Sequence, residues 1–170
     1  MLNFFRKNKV EKQPVEQKPI SDQAQGQLSS STQSQNERHI SQLEHYIENA
    51  QSNDPLLGDI LLEAGRSYLF GRHHATINHN KALQYFKKAN SLNYNGSSFH
   101  LGLYYAVYDN GASFEGDKKA AIAVAGMHLK NAHLEGDNNA TELLNDMIQG
   151  GAFKGTGIDS IESLLNFYSK

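Results

Sequence analysis

The 170-residue chain contains no cysteine, and this absence excludes several kinds of chemistry. Disulfides, thiolate zinc sites, iron–sulfur clusters and cysteine nucleophiles all need a cysteine sulfur, so none of them is expected. A chain without cysteine fits a reducing compartment, and we expect the protein to be cytoplasmic. The sequence also lacks an apolar run of about 18 residues, so no membrane-spanning helix is predicted.

An excess of charge of one sign is missing too. The chain has 16 Lys and Arg residues against 18 Asp and Glu residues, a formal net charge of -2. A nucleic-acid binder needs a basic face, so no nucleic-acid partner is predicted. The sequence contains no Gly-x-Ser-x-Gly, no Walker-type loop and no His-Glu-x-x-His. We therefore do not expect an enzyme, and we expect no cofactor.

The first 36 residues differ in composition from the rest of the chain. Residues 11–36 contain seven Gln, five Ser and no aromatic residue. Such a segment cannot bury enough apolar surface to offset its conformational entropy. We expect residues 1–36 to be a disordered tail and residues 37–170 to form one domain. Two alternatives are open for the opening nine residues, MLNFFRKNK: a weak membrane anchor or docking motif, or a frayed terminus without a role.

Apolar residues at helical spacing dominate from residue 37 onward, and no alternating strand pattern appears. Ile40, Leu43 and Ile47 indicate a first helix. Asp54 followed by Pro55 is typical of a helix start, which predicts a second helix ending near Gly71. The fold class predicted is all-α. Further helices are predicted over residues 81–92, 97–108, 118–135, 138–149 and 161–169.

A repeated pattern connects these helices. Gly65-x-x-Tyr68 recurs as Gly102-x-x-Tyr105, 37 residues later. Glycine inside a helix costs about 1 kcal/mol relative to alanine, so two such glycines indicate close helix–helix contact. Alanines on the partner helices would supply small surfaces, and tyrosines would fill the space between pairs. The pattern predicts stacked helical hairpins. The repeat positions are Gly65, Tyr68, Gly71, Ala82, Tyr85, Ala89, Gly102, Tyr105, Ala125, Ala132, Gly136 and Gly151.

These motifs resemble Sel-one-like repeats, relatives of the tetratricopeptide repeat. The first helix of that family carries L-G-x-x-Y-x-x-G, which AGRSYLFG and LGLYYAVY match with one departure each. Its second helix carries K-A-x-x-Y-x-x-K-A, which the segment from Lys81 to Ala89 matches at every specified position, and the later copy is degraded. The resemblance covers about residues 57–165. It implies a short α-solenoid with an N-terminal helix, two full hairpins and a truncated third.

The segment LGLYYAVY, from Leu101 to Tyr108, is apolar, glycine or aromatic throughout. Leu101, Tyr105 and Tyr108 are expected to pack within the repeat. The remaining side chains either line a groove on the concave face or are buried under a neighbouring element. Tyrosine is enriched at binding hot spots, which favours a groove for a partner segment. The candidate partner-binding residues are His100, Leu103, Tyr104 and Val107.

Three histidines, His73, His74 and His79, share one loop. They indicate either a metal site or pH-sensitive contact, or a polar surface loop that is rich in histidine. A metal site usually adds a positioned carboxylate, and the nearest acidic residues in sequence, Glu63 and Asp109, lie outside the loop. The surface loop is therefore favoured, and no metal is predicted.

The function predicted from the resemblance is an adaptor or scaffold that binds another protein or peptide on its concave face. The chain looks bacterial in style, and small helical repeats of this kind also occur as immunity proteins that neutralise bacterial toxins, which is the first alternative. A metal-dependent or enzymatic module that uses the histidine loop is the alternative from another class.

Overall fold

The computed structural model describes residues 39–169. Every regular element in this range is helical, and the range contains no strand. The all-α prediction is therefore confirmed. The predicted disordered tail, with its opening segment MLNFFRKNK, lies outside the described residues.

Seven α-helices follow one another along the described range. The first, α1, covers residues 39–49. The other six are α2 (Leu57–Phe70), α3 (His79–Ser91), α4 (Ser97–Leu103), α5 (Lys118–Leu134), α6 (Asn138–Gln149) and α7 (Ile161–Phe167). Shorter turns of helix join them: 3₁₀ turns at Arg72–His74 and Ala112–Phe114, and a π turn at Tyr104–Tyr108 that extends α4. None of the helices described is long and apolar enough to cross a membrane.

Side-chain oxygens set several helix starts. The Asp117 and Asp137 carboxylates accept from backbone N–H groups in the first turns of α5 and α6. The Asn78 side chain accepts from Lys81 N at 3.0 Å, so α3 begins two residues earlier than the sequence predicts. Asp54 accepts from Leu56 N at 2.9 Å and forms a turn, which delays the start of α2. Its other oxygen accepts from the Tyr46 hydroxyl at 2.7 Å, which ties α1 to this turn.

Helix pairs α2–α3 and α4–α5 are hairpins whose helices meet at the repeated glycines. A Cβ atom at Gly65 would lie 2.7 Å from Cδ1 of Phe86, and one at Gly102 would lie 2.5 Å from Cγ of Leu129. Phe86 and Leu129 are fully buried and 43 residues apart, the same offset as Ala89 and Ala132. Each glycine therefore contacts one large side chain of the partner helix. The sequence analysis had expected alanines to supply this contact. The alanines of both hairpins are buried around this contact: Ala82, Ala89, Ala125 and Ala132.

A pair of stacked rings recurs in the two hairpins. Tyr68 stacks on Tyr85 with ring centroids 5.9 Å apart and an interplanar angle of 20°. Tyr105 stacks on His128 at 6.1 Å and 11°. Both members of the second pair follow the first by the offsets that the repeat predicts, 37 and 43 residues. The two hairpins are thus built on equivalent contacts.

The last helix packs against α5. The Tyr168 hydroxyl donates to the Ala123 carbonyl at 2.7 Å, and Lys130 Nζ donates to the Tyr168 carbonyl at 3.1 Å. A Cβ atom at Gly126 would lie 2.8 Å from the Tyr168 hydroxyl oxygen, so the two helices meet closely there.

Three helices end at a glycine with a left-handed backbone: Gly71, Gly136 and Gly151.

Candidate protein-binding surface

The end of the fourth helix departs from regular α geometry. Asp109 N donates to the Tyr104 carbonyl at 3.0 Å, five residues back, which defines the π turn. A π turn holds one residue more than an α turn, so the residues after it change face. Tyr108 was expected to pack inward with Leu101, but it is only half-buried, and Asp109 is 2% exposed. Tyr108 still packs against the core as expected, but part of its side chain stays at the surface.

Of the residues predicted to line a groove, Tyr104 is 3% exposed, and its ring packs edge-on against Tyr105 at 5.5 Å. Burial, the alternative left open for this position, therefore describes Tyr104, and its ring does not line an open surface. His100 is half-buried between the rings of Phe86 and Phe99. The two remaining residues, Leu103 and Val107, are also half-buried.

An exposed apolar surface lies beside these residues, where α2 ends and the π turn passes. The Phe70 and Tyr108 rings meet edge to face at 6.0 Å, and His79 meets Tyr108 at 5.6 Å. Phe70 is 42% exposed, and Ile77 is 58% exposed. We call Phe70, Ile77, His79 and Tyr108 the aromatic patch. Two of these residues were named in the sequence analysis: His79 as part of the histidine loop, and Tyr108 as a residue expected to pack within the repeat.

The turn after α2 assembles the aromatic patch. Gly71 ends the helix with φ 65°, a left-handed conformation that glycine adopts at little cost. The chain then turns back, and Asn78 N donates to the Tyr68 carbonyl at 2.9 Å. Ile77 comes to lie over Gly71, since a Cβ atom there would be 3.2 Å from Cγ1 of Ile77. The return of the loop therefore brings Ile77 next to the last turn of α2.

A charged cluster borders the patch on α2. Glu63 accepts from Arg66 Nη2 at 2.8 Å, and its other oxygen lies 3.3 Å from His73 Nε2 and 3.8 Å from Arg72 Nη1. Burial opposes the ionised form of Glu63, but hydrogen bonds and positive charge, chiefly from Arg66, outweigh burial and lower its pKa. The His39 ring packs 4.2 Å from the His73 ring. One carboxylate here serves two guanidinium groups.

The histidine loop is divided between these two features. His73 belongs to the charged cluster, His79 belongs to the aromatic patch, and His74 lies in the 3₁₀ turn between them. Among the side chains that the structure describes, which do not include that of His74, no three His, Asp or Glu side chains are grouped in a way that would hold a metal ion. The sequence analysis placed Glu63 outside this loop because it lies 10 positions before His73. In the structure the two side chains meet.

A second polar cluster fastens α1 to the first hairpin. Glu44 Oε1 accepts from the Tyr68 hydroxyl at 2.7 Å, Lys81 Nζ at 2.9 Å and the Tyr85 hydroxyl at 3.0 Å. Burial would raise the pKa of Glu44, but these hydrogen bonds outweigh it and lower the pKa. The same contacts raise the pKa of Lys81. Every group in the cluster has a protein partner, so its role is to hold α1 in place.

The corresponding place in the second hairpin has no such acceptor. His128 stands where Tyr85 stands in the first hairpin, 43 residues later. Its Nδ1 atom is buried and has no hydrogen-bond partner within the described part of the chain. Burial, together with the nearby positive charge of Lys87, lowers the pKa of His128 and favours a neutral ring.

Comparison with known proteins does not identify this surface. The chain matches no protein-family model, no curated protein and no solved structure. The resemblance to Sel-one-like repeats therefore rests on the motifs within residues 57–165. The features that bear on its function are the aromatic patch and the charged groups beside it.

Proposed function

We propose that residues 37–170 form a short α-solenoid of Sel-one-like hairpins and act as a protein–protein interaction module. The equivalent glycine contacts and ring stacks of the two hairpins support the repeat architecture. Helix α7, which packs on α5 through Tyr168, fits the role of a terminal cap.

The observation that carries the binding function is the aromatic patch. Phe70 and Ile77 are large apolar side chains that remain 42% and 58% exposed although the core lies next to them. Clustered exposed apolar residues mark interaction surfaces, and aromatic residues are enriched at binding hot spots. Fully burying an isoleucine side chain gives about 1.5–3 kcal/mol, so a partner that covers this patch gains substantial affinity.

The half-buried residues of α4 extend the same proposal. Leu103 and Val107 lie on the helix and π turn that present Tyr108, and Val107 is next to Tyr108 in sequence. A partner protein or peptide that covers Tyr108 would reach these side chains as well. His100 has a different role: its Nδ1 lies 2.8 Å from the Gly96 carbonyl, and burial lowers its pKa. It supports α4 as a neutral ring.

Affinity capture with tagged full-length protein, from cells that naturally produce it, tests the proposal. The informative variant is Ile77→Ser, and its matched control is Leu134→Ser, because Leu134 is 64% exposed at the end of α5. Both changes are at the surface and should alter stability by less than about 0.5 kcal/mol. We expect a stoichiometric partner that is lost with Ile77→Ser and retained with Leu134→Ser. A partner retained by both variants, or no partner, would contradict a binding role for the patch.

A further inference from the structure

We infer that the aromatic patch binds an acidic segment of its partner: a stretch of chain with an aliphatic or aromatic anchor flanked by Asp and Glu. This inference rests on the proposed function and specifies the chemistry of what the same surface binds. It is carried by the distribution of charge around Phe70, Ile77, His79 and Tyr108.

The part of the chain that builds the patch has no acidic residue. Between Glu63 and Asp109 there is no Asp or Glu, although the whole chain carries a formal net charge of -2. This segment includes the last turns of α2, the histidine loop, α3 and α4. Its charged side chains are all basic: Arg66, Arg72, Lys81, Lys87 and Lys88.

One of these cations is a helical neighbour of Phe70, and a second is close to Phe70 in sequence. Arg66 lies one helical turn before Phe70, and Arg72 lies two residues after it. The Arg72 side chain is 51% exposed, and its Nη1 is 3.8 Å from the nearer oxygen of Glu63. Glu63 bonds more closely to Arg66, at 2.8 Å. One carboxylate cannot neutralise two guanidinium groups, so the border of the patch keeps a positive charge.

Two other carboxylates, Asp109 at the far end of this segment and Glu44 on α1, do not offset that charge at the surface. Asp109, at the end of the π turn, is buried, and its oxygens accept from Ser113 N at 3.2 Å and from the Ser113 hydroxyl. Glu44 is engaged by Lys81 and two tyrosine hydroxyls. The patch therefore offers apolar rings with an exposed cation, Arg72, close to them in sequence, which complements an acidic apolar segment and repels a basic one.

Two other occupants fit the charge less well. The N-terminal segment MLNFFRKNK is apolar at its start, but it carries Arg6, Lys7 and Lys9, which Arg72 would repel. A second copy of the chain, paired through a two-fold axis, would bring the same surface and the same cations together. Both remain outcomes that the experiment distinguishes.

A random-peptide display selection on immobilised full-length protein tests the inference and does not require the partner to be identified first. Peptides that bind wild type and Leu134→Ser but not Ile77→Ser are sequenced, and a synthetic consensus peptide is titrated. We expect Asp and Glu on both sides of an apolar anchor, and a loss of about tenfold or more in affinity with Ile77→Ser.

The charge contribution has its own matched pair, Arg72→Gln and Lys88→Gln. Both remove one exposed cation, but Arg72 lies two residues after Phe70, whereas Lys88 lies nine residues after His79. We expect Arg72→Gln to weaken binding of the consensus peptide by about threefold or more and Lys88→Gln to leave it unchanged. Added salt should weaken peptide binding to wild type more than to Arg72→Gln, because salt screens the contribution of Arg72.

Several results would overturn the inference. Patch-dependent peptides that are neutral or basic would reject the acidic partner while leaving the interaction function standing. Equal affinities of Arg72→Gln and wild type would do the same. If the selection yields no patch-dependent peptide, a linear segment is rejected as the ligand. Affinity capture with Ile77→Ser then tests the interaction function separately. Displacement of the consensus peptide by synthetic MLNFFRKNK, or Ile77-dependent self-association in sedimentation, would assign the patch to the N-terminal segment or to a second copy.

Discussion

The two hairpins share their helix–helix contact and differ in what surrounds it. In α2–α3, Gly65 receives the ring of Phe86, and in α4–α5, Gly102 receives the side chain of Leu129. The first hairpin then adds a polar anchor for α1 through Glu44. The second has no equivalent anchor within the described residues. The shared positions therefore build a hairpin, and the positions that differ decide what each hairpin holds.

Two replacements account for the missing anchor. The residue 43 positions after Lys81 is Val124, and the residue 43 positions after Tyr85 is His128. A valine side chain has no donor, and a half-buried neutral imidazole offers much less to a carboxylate than an ammonium group and a phenol do together. The second hairpin thus keeps Tyr105, the counterpart of Tyr68, but lacks the ammonium group and the second phenol that hold the preceding helix in the first.

A third difference lies at the end of each first helix. Gly71 ends α2 in a left-handed conformation, whereas the equivalent residue, Tyr108, belongs to a π turn. Glycine at that position has no side chain to offer. Tyrosine places a ring against Phe70. This departure from the repeat pattern adds Tyr108 to the aromatic patch. Functional sites are expected at positions where a sequence departs from its local structural pattern.

The largest effects should come from the contact that the hairpins share. Phe86→Ala should lower the free energy of unfolding by about 3–5 kcal/mol and Leu129→Ala by about 2–5 kcal/mol, because each leaves a cavity in a fully buried place. Leu134→Ala, at an exposed site, should change it by less than about 0.5 kcal/mol. Urea unfolding measures all three. If either buried variant behaved like Leu134→Ala, its hairpin would not be packed as described.

The glycines should distinguish the hairpins more finely. Gly65→Ala and Gly102→Ala should each destabilise the protein by about 1–3 kcal/mol, because overpacking outweighs the helix propensity of alanine. At Gly102 the new Cβ atom also lies 3.1 Å from the backbone N of Leu129, which a smaller side chain cannot relieve. Phe86→Leu should therefore restore part of the stability lost in Gly65→Ala, whereas Leu129→Ala should not rescue Gly102→Ala. Full rescue in both hairpins would show that only side chains clash.

The polar anchor of the first hairpin should appear as a pH-dependent contribution. Glu44→Gln should cost about 1–2 kcal/mol at neutral pH, since it removes a charged acceptor shared by three donors. The lowered pKa of Glu44 means that its stabilisation is present above the unfolded value of 4.5 and is lost as pH falls through the folded value. The difference between wild type and Glu44→Gln should therefore shrink in acid. Glu48→Gln, at an exposed position on the same helix, serves as the control.

The smallest effect is expected at the unpartnered histidine of the second hairpin. His128→Phe should leave stability at neutral pH unchanged or raise it by up to about 1 kcal/mol, because a buried nitrogen without a partner is removed. Since burial lowers the pKa of His128, the unfolded chain takes up the proton first, and wild type should lose stability as pH falls below 6.5. His128→Phe should reduce this loss, whereas His45→Phe, at an exposed site, should not. An unchanged pH profile in His128→Phe would contradict the buried neutral ring.

The hairpins could be predicted from sequence because their signals are local and recur. Gly65 and Gly102 mark helix contacts within units of similar length, and helical periodicity gave α6 with its bounds. The Glu44 anchor could not be predicted in this way. Glu44 lies 24 residues from Tyr68 and 41 from Tyr85, and no local pattern links a carboxylate to hydroxyls at such separations.

The aromatic patch was harder to predict because the π turn has no sequence signal of its own. All eight residues of LGLYYAVY are apolar, aromatic or glycine, so no polar residue indicates which face is exposed. A regular helix is expected to bury Tyr108 with Tyr105, whereas in the π turn Tyr108 is half-buried and the next residue, Asp109, is buried. Phe70 and Ile77 are large apolar residues that lie outside the recurring repeat positions. Large apolar residues without a repeat role are the sequence signal that could have identified them.

Site-specific photo-crosslinking in the cells that naturally produce the chain tests the central claim most directly. A photoreactive side chain is placed at position 77, in the aromatic patch, or at position 134, which is equally apolar and exposed. The account predicts one discrete protein crosslinked from position 77 and absent from position 134. The same products from both positions, or none from position 77, would contradict the claim that the aromatic patch is a protein-binding surface.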